Sequence, residues 1–310
     1  MKRIGLGIWS VFCLGGMVWA AETTQVVANR AMPLTQEGGT ARAMSLGAAV
    51  VGVPQGSASL FWNPAGLSGL TRKELALHHS SLGASIDETA VFGLPMNALG
   101  GFAASLNVVS NGTFEGRDIA GNPTGDYTAG DLGGRLGWGR QWLAGVSAGV
   151  AAKFNRQHIA TQSYSAFAVD LGLLWNPFPR FNAGLTYNNL GTVVADRRLD
   201  SGWRIGASYG LKKDVLVAAA TELKPGGFDR AQAGGEIFPH PIVALRLGYV
   251  YRATDAKLLQ LSGLTAGFGF RPVTNIDVDY AYAPSGELGL SSHRLSLTYK
   301  FSHSGKELGT

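Results

Sequence analysis

The sequence predicts an all-β fold, a transmembrane antiparallel β-barrel of about 14 strands with an N-terminal hatch or plug segment. Two observations predict it. Apolar and polar residues alternate with period two from about Glu74 to Phe301, as in strands whose two faces meet different surroundings. Gly, Pro, Asn and Asp clusters divide this region into fourteen segments, and single-chain outer-membrane barrels need an even strand number. The segments lie at about 74–81, 88–95, 100–110, 127–140, 143–156, 163–175, 180–190, 201–210, 214–223, 229–238, 242–252, 261–270, 276–283 and 292–301.

The last segment shows the pattern most clearly. Leu295, Leu297 and Tyr299 fall on one face, and the residues between them are polar. Because an unpaired strand edge in hydrocarbon leaves backbone groups without partners, an apolar outer face requires a closed barrel. Connections between segments alternate between short and long, which predicts periplasmic turns and extracellular loops. The longest predicted loop covers 111–126. A secreted soluble β-sandwich or solenoid would also alternate, but it would carry fewer bulky aromatics on its outer faces.

Composition narrows the protein class. Only 15% of the 310 residues are charged, and the 44 glycines are about twice the ordinary share of roughly 7%. Disorder is therefore excluded, and many tight turns or close backbone approaches are expected. No uncharged apolar run reaches the ~18 residues of a spanning helix, which argues against a helical membrane protein. The net charge of +5 comes without a basic stripe interleaved with aromatics, so nucleic acid is not an expected partner.

The chain divides into four predicted regions. Lys2 and Arg3 precede an apolar stretch that ends at Val18-Trp19-Ala20, which is typical of a signal peptide over residues 1–20. Residues 21–73 would form the hatch or plug segment, 74–301 the outer-membrane barrel, and 302–310 a periplasmic C-terminal tail. The single cysteine, Cys13, lies in the leader, so the mature chain is expected to have neither thiol nor disulfide.

The candidate hatch motif is Asn63, Pro64, Ala65 and Gly66, within a region rich in Gly, Ala and Ser. Small residues allow this segment to run close to the barrel wall, and Asn-Pro is a turn-forming pair. The motif would control passage if the hatch moves. The alternative is that these residues only shape a turn.

Eight charged residues fall opposite the apolar positions of their strands and are predicted to face the lumen. Arg or Lys facing lipid at mid-bilayer would cost roughly 2–4 kcal/mol each, so the inward placement is favoured. They would fix the hatch to the wall and hydrate the lumen, or line a selectivity path. These candidates are Arg135, Asp170, Arg204, Glu236, Arg246, Asp277, Asp279 and Arg294.

Signatures of soluble enzymes are absent: there is no His-Glu-x-x-His, no P-loop, no Gly-x-Ser-x-Gly and no Asp-rich calcium loop. The pair His78-His79 cannot chelate one metal from one strand, because alternation sends the two rings to opposite faces. We therefore expect no catalytic residues, no metal and no cofactor.

The N-terminal stretch Gly39–Gly47 with Phe61-Trp62-Asn63-Pro64-Ala65-Gly66-Leu67 resembles the signature of the PorV/PorQ family, within the FadL-like outer-membrane transport superfamily. Residues 163–174 and 182–191 also match, so the likeness covers nearly the whole mature chain. It implies a fourteen-stranded barrel in the bacterial outer membrane with an N-terminal hatch, and it carries over Asn63, Pro64 and Ala65 as the hatch motif.

The resemblance implies a non-enzymatic role as a type IX secretion component that receives or shuttles exported cargo proteins. Its partners would be outer-membrane lipid, secreted cargo and secretion-machinery proteins. The alternative is a FadL-like passive channel for hydrophobic small molecules, gated by the N-terminal hatch. A gap or kink in one wall strand would favour the channel.

Overall fold

The computed structural model describes residues 39–83, 85–194, 197–253, 263–285 and 290–301. The predicted signal peptide, the start of the predicted hatch, the predicted tail and the first two residues of the predicted strand segment 261–270 lie outside them. No helix in the described part of the chain has the length and apolar character to cross a membrane.

Fourteen antiparallel strands form a closed barrel, as the sequence predicts. Each strand pairs with its neighbours along the chain, and the barrel closes where β1 pairs with β16, from Glu74 opposite Lys300 to Leu82 opposite Ser292. The barrel strands are β1 Glu74–Leu82, β2 Ser85–Pro95, β3 Gly101–Arg117, β4 Pro123–Leu143, β5 Val146–Ile159, β6 Gln162–Trp175, β7 Phe181–Gly191, β10 Gly202–Lys212, β11 Val215–Lys224, β12 Gly227–His240, β13 Val243–Arg252, β14 Leu264–Val273, β15 Ile276–Ser285 and β16 Leu290–Lys300.

The remaining elements are short. Two strands, β8 Val193–Val194 and β9 Arg197–Arg198, pair with each other outside the barrel. Helices α1 Ala41–Ser45 and α2 Ser59–Trp62 precede β1. The 3₁₀ helices are Gly56–Ala58, Pro64–Gly69 and Asn97–Leu99.

The outer face of the barrel is apolar. In β1, Ala76 and His78 are buried while Leu75 and Leu77 are exposed. The same alternation leaves large side chains such as Phe167, Leu136 and Leu247 about 60% exposed or more. A continuous exposed apolar surface of this kind is stable only against lipid.

The structure corrects the predicted long loop at 111–126. Strands β3 and β4 continue pairing through this region up to Arg117 opposite Pro123. Their outer neighbours stop at Ser110 and Ala129, so the hairpin extends alone for about five residues per strand, roughly 17 Å. The sequence pattern did not predict these strand extensions, because a hairpin that projects beyond the rest of the wall has no lipid-facing side that requires apolar residues.

The hairpin is held by local contacts. The rings of Phe114 and Tyr127 stack across it with centroids 5.4 Å apart. At its tip Asp118 accepts hydrogen bonds from Asn122 and Ala120. The Asn122 side chain, followed by backbone N–H groups, holds the pKa of the Asp118 carboxyl below its usual value.

Residues 39–73, called here the inner segment, lie against the inward face of the wall. Their apolar side chains form the main buried cluster, which includes Leu46, Val50, Leu60 and Leu67, each with no measurable exposure. Small wall residues such as Ala218 complete this cluster. The core of this protein is therefore made between the inner segment and the wall.

Inward-facing glycines let the inner segment approach the wall. At each, an added Cβ would lie less than 3 Å from an atom of the inner segment. Real Cβ atoms essentially never make such contacts, so a side chain would force one of the two chains to move. We call these ten residues the glycine belt: Gly93, Gly101, Gly137, Gly139, Gly149, Gly172, Gly184, Gly234, Gly248 and Gly267. The close approaches expected from the glycine content occur here.

Candidate functional site

The Asn63 side chain links two points of the inner segment to the wall strand β6. Its side-chain nitrogen donates to the Val51 and Leu173 carbonyl oxygens, both at 2.9 Å, and its Oδ1 accepts from Ala65 N–H at 3.1 Å. The last bond caps the 3₁₀ helix that begins at Pro64. Asn63 is 4% exposed, so each lost bond would leave a buried polar group unsatisfied. Ala65 is fully buried, and Gly66 packs against Ser59.

Helix α1 is tied to the wall through charges. Arg42 donates to both carboxylate oxygens of Glu236, at 2.8 and 3.0 Å. Glu236 also binds Arg246, which reaches Asp279 at 2.7 Å. Arg246 is 2% exposed, and burying an unpaired charge would cost several kcal/mol of stability. The alternation of positive and negative groups offsets this desolvation cost.

Two wall arginines contact aromatic rings of α2. The Arg135 guanidinium lies 4.9 Å from the Phe61 ring centroid, and that of Arg204 lies 5.6 Å from the Trp62 centroid. Both distances suit cation–π attraction. Arg204 also faces Glu222, with 3.3 Å between Nε and a carboxylate oxygen.

Asp170 belongs to a second buried group of polar residues. It pairs with Lys153 at 2.7 Å, and both side chains are 3% exposed. Its carboxylate also accepts the backbone N–H of Asn189 at 2.8 Å. Asn189 has a positive φ of 60° and lies where the β6–β7 register shifts between Val169 and Leu171, so a β-bulge turns this backbone donor toward the carboxylate.

The remaining candidates are Asp277 on β15 and Arg294 on β16. Asp277 pairs with Lys300 and lies 3.7 Å from Arg271. Arg294 is 6% exposed and lies further along β16. Of the eight charged candidates, Arg135, Arg204 and Glu236 directly contact the inner segment. Four others form ion pairs within the wall: Asp170, Arg246, Asp277 and Asp279.

Among the described residues, four buried charges are missing from the sequence-based set: Glu74, Asp131, Lys153 and Glu222. Lys153 and Glu222 are the most deeply buried of them. Both occupy the polar face of their strands: Lys153 alternates with Ala152 and Phe154, and Glu222 with Thr221 and Leu223. Strand parity could therefore have identified them. Their pairing with Asp170 and Arg204 depends on strand register, which alternation alone does not supply.

Two interior cavities of about 220 Å³ lie at opposite ends of the inward face of β1 and β16. The upper cavity, toward the long hairpin, is lined by Ser80, Leu82, Ser85, Ile86, Asp87, Val109, Asn111, Asp131, Gln157 and Arg294. The lower cavity is lined by inner-segment residues 40, 42 and 54–58 together with Glu74, His78, Arg271, Asp277, Asp279, Ser296, Thr298 and Lys300. Two apolar grooves of about 410 and 540 Å³ lie on the outer face, where lipid would cover them.

The two adjacent histidines face opposite sides of the wall. His78 is 3% exposed, and its Nδ1 lies 2.8 Å from Ser296 Oγ. His79 lies on the outer face, 2.7 Å from Glu88. Within the described residues no cluster of three or more His, Cys, Asp or Glu suits a metal ion.

Comparisons with known proteins identify the fold. Neither the protein-family models nor the curated protein sequences compared with the chain match it. Among solved structures, the toluene transporter TbuX of Ralstonia pickettii aligns with a TM-score of 0.62 at 12% identity, over 87% of this chain and 100% of that one. The monoaromatic hydrocarbon channel CymD gives 0.63 at 12%, over 89% and 100%. A FadL homologue of Pseudomonas aeruginosa gives 0.55 at 13%, over 89% and 100%.

The chain therefore has the FadL-like barrel fold. A closed barrel with an even strand number and an apolar outer face is the form that crosses the bacterial outer membrane, and the protein is located there. The resemblance to the PorV/PorQ group is finer than this fold likeness and stays a prediction.

Proposed function

We propose that the protein is a passive, non-enzymatic outer-membrane channel for small hydrophobic molecules, with the inner segment as its hatch. One observation carries the proposal: a segment packs against the inner wall of a closed barrel, in a fold shared with TbuX and CymD. Transport would then require the inner segment to move relative to the wall.

The contacts of the inner segment support a hatch. Arg42, Phe61 and Trp62 are held by wall charges, and Asn63 is held by the Leu173 carbonyl. These contacts are an ion pair, hydrogen bonds and cation–π contacts, which can break and form again without covalent change, and an individual hydrogen bond contributes about 0.5–1.5 kcal/mol. This arrangement favours the role of the lumen charges as anchors of the hatch over a role as a selectivity path.

A disulfide lock tests the hatch. Ser68 Oγ donates to Ser147 Oγ at 2.9 Å, so cysteines at both positions would lie within disulfide reach. The double variant Ser68→Cys/Ser147→Cys would be made with Cys13→Ser, because Cys13 is the single native cysteine. Uptake of radiolabelled toluene would be measured in cells producing this variant, before and after reduction.

We expect oxidation to abolish uptake and reduction to restore it, while each single cysteine variant transports normally under both conditions. Uptake that persists in the fully oxidised variant would contradict the moving hatch. A parent protein that raises the uptake of neither toluene nor benzyl alcohol above that of cells without it would contradict the channel.

The cargo-handling role expected from the sequence resemblance has less support, because the structural comparisons name small-molecule channels. It makes a different prediction. Detergent-extracted protein would capture the C-terminal sorting domains of secreted proteins, and deletion of the gene would impair their secretion. Normal secretion without the protein would exclude that role.

A further inference from the structure

The inward face of β16 differs from the glycine belt. From Ser292 to Lys300, the inward-facing residues of this strand are all polar. They are Ser292, Arg294, Ser296, Thr298 and Lys300. A side-chain stripe of this kind offers hydrogen-bond partners along most of the strand.

The inner segment meets this side of the wall in a different way. At six of the ten glycines of the belt, the nearest atom of the inner segment is a backbone atom. At β16 and β1 the inner segment is held by side chains: the Ala41 N–H donates to Ser296 Oγ at 2.9 Å, and the Ser57 N–H donates to a Glu74 carboxylate oxygen at 2.7 Å. Side chains can change rotamer without moving the wall, so this seam can open at lower cost than the belt.

The two interior cavities approach each other at this seam. Arg294 and Ser80 line the upper cavity, and Ser296 and His78 line the lower one. In each strand these are consecutive inward residues, which are spaced by about 7 Å. On the wall side, the layer of side chains that separates the cavities therefore consists of these lining residues themselves.

That layer contains polar groups ready for a ligand. His78 bonds Ser296 through Nδ1 and meets the Phe61 ring edge-on at 6.3 Å. Its Nε2 has no hydrogen-bond partner within the described residues, and the same is true of Gln55 Nε2. Both residues line the lower cavity. A buried polar atom without a partner is costly, so a solute that bonds these atoms would be stabilised there.

We infer that solutes cross the barrel along the inner face of the β1–β16 seam, past a constriction formed by His78, Ser296 and the backbone at Ala41. This inference rests on the proposed channel function and adds a route and a substrate class to it. The solute is a neutral amphiphile of about monoaromatic size, with an apolar body and one hydrogen-bonding group.

The cavity linings argue for this class. A volume of about 220 Å³ equals roughly seven water volumes, which accommodates one substituted ring. In the upper cavity Leu82, Ile86 and Val109 provide apolar surface beside Asp131 and Arg294. The lower cavity has three acidic and three basic side chains, so it gives no net attraction to an ion of either sign.

Cysteine labelling tests the route. In the Cys13→Ser background, Ser80→Cys would place a thiol in the upper cavity and Thr298→Cys one in the lower cavity. Ser208→Cys is the matched control, because Ser208 faces inward on β10 and donates to the Gly52 carbonyl at 2.7 Å, away from the seam. Cells would be treated with N-ethylmaleimide, labelling would be quantified by mass spectrometry, and initial uptake of radiolabelled benzyl alcohol and toluene would be measured.

We expect both seam thiols to react and benzyl alcohol uptake to fall at least five-fold, with uptake by the Ser208→Cys variant unchanged. In the unlabelled parent, benzyl alcohol uptake should exceed toluene uptake. Seam thiols that fail to react, or that react without reducing uptake, would overturn the route, as would an equal loss in labelled Ser208→Cys. Faster uptake of toluene than of benzyl alcohol would overturn the substrate class. If the parent transports neither probe, the proposed function itself fails, which separates that failure from failure of the route.

Discussion

Replacing Gly184 with alanine should loosen the inner segment and leave the barrel closed. An added Cβ would lie 2.1 Å from the Val51 carbonyl oxygen, 2.6 Å from its carbon and 2.9 Å from Gly52 N. All three are backbone atoms, so no rotamer change can relieve the contact. Since ordinary van der Waals contact begins near 3.4 Å, either the wall strand or the inner segment must move by about 1.3 Å.

The inner segment is the part expected to move, because the wall at Gly184 is hydrogen-bonded on both sides. Overpacking of this kind costs about 1–3 kcal/mol. Displacing Val51 also breaks its bond to Asn63, which adds about 1 kcal/mol. The total is roughly 2–4 kcal/mol of local stability.

Hydrogen exchange followed by mass spectrometry would measure this loss in detergent-solubilised protein. Amides near Val51 should exchange roughly 30- to 1000-fold faster, since each 1.4 kcal/mol is a factor of ten, while amides in the strands stay protected. Gly134→Ala and Gly235→Ala are matched controls, because an added Cβ there has its nearest neighbour at 3.7 and 3.9 Å. Unchanged exchange in Gly184→Ala, or equal acceleration in the controls, would refute the steric account.

Three further changes test other parts of the structure. Asn63→Ala should speed proteolysis of the inner segment by removing three buried hydrogen bonds, and Asn63→Asp, which keeps the cap on Ala65, should do so less. Asp170→Asn should destabilise the barrel in denaturant titrations by about 3–5 kcal/mol, because Lys153 loses its carboxylate. Leu247→Arg, at the centre of β13 on the outer face, should weaken folding into lipid bilayers by about 2–4 kcal/mol.

Each of these changes has its own control. Asn63→Asp that behaves like alanine would show that the cap contributes little. The double variant Lys153→Met/Asp170→Leu should recover most of the stability lost in Asp170→Asn, and failure to recover it would show that packing matters more than charge. Leu211→Arg, near a turn between strands, should reduce the free energy of folding into the bilayer much less than Leu247→Arg does. Equal reductions would contradict the placement of Leu247 near the middle of the bilayer.

Alternation in the sequence was sufficient to predict the barrel. All fourteen predicted segments correspond to barrel strands, because each segment between lumen and lipid must show two different faces. Alternation failed where lipid is absent, at the β3–β4 hairpin, whose strands beyond Ser110 have water on both sides. It also did not define the ends of β15 and β16, since polar rim residues suit strands and loops equally.

The interior was less predictable. Parity placed the charged side chains on the polar face, but the pairing of Lys153 with Asp170 needs the β5–β6 register. The high glycine content predicted close approaches without showing where they occur. The glycine belt depends on contacts between residues that are distant in sequence, such as Leu46 with Gly234 and Leu67 with Gly101. Only the folded structure brings these residues together. The role of the motif at Asn63 still depends on whether the segment moves.

The position of the closing seam has a consequence for biogenesis. The inner segment precedes β1 in the chain, and the barrel closes where β1 pairs with β16, which are its first and last strands. A sheet that is still open can bind the inner segment laterally at the glycine belt. β16 can then pair with β1 and bind the inner segment through the hydrogen bond from Ala41 to Ser296. Insertion into an already closed barrel would instead require threading from one end. The order of the elements in the chain therefore favours docking of the inner segment before β1 and β16 pair.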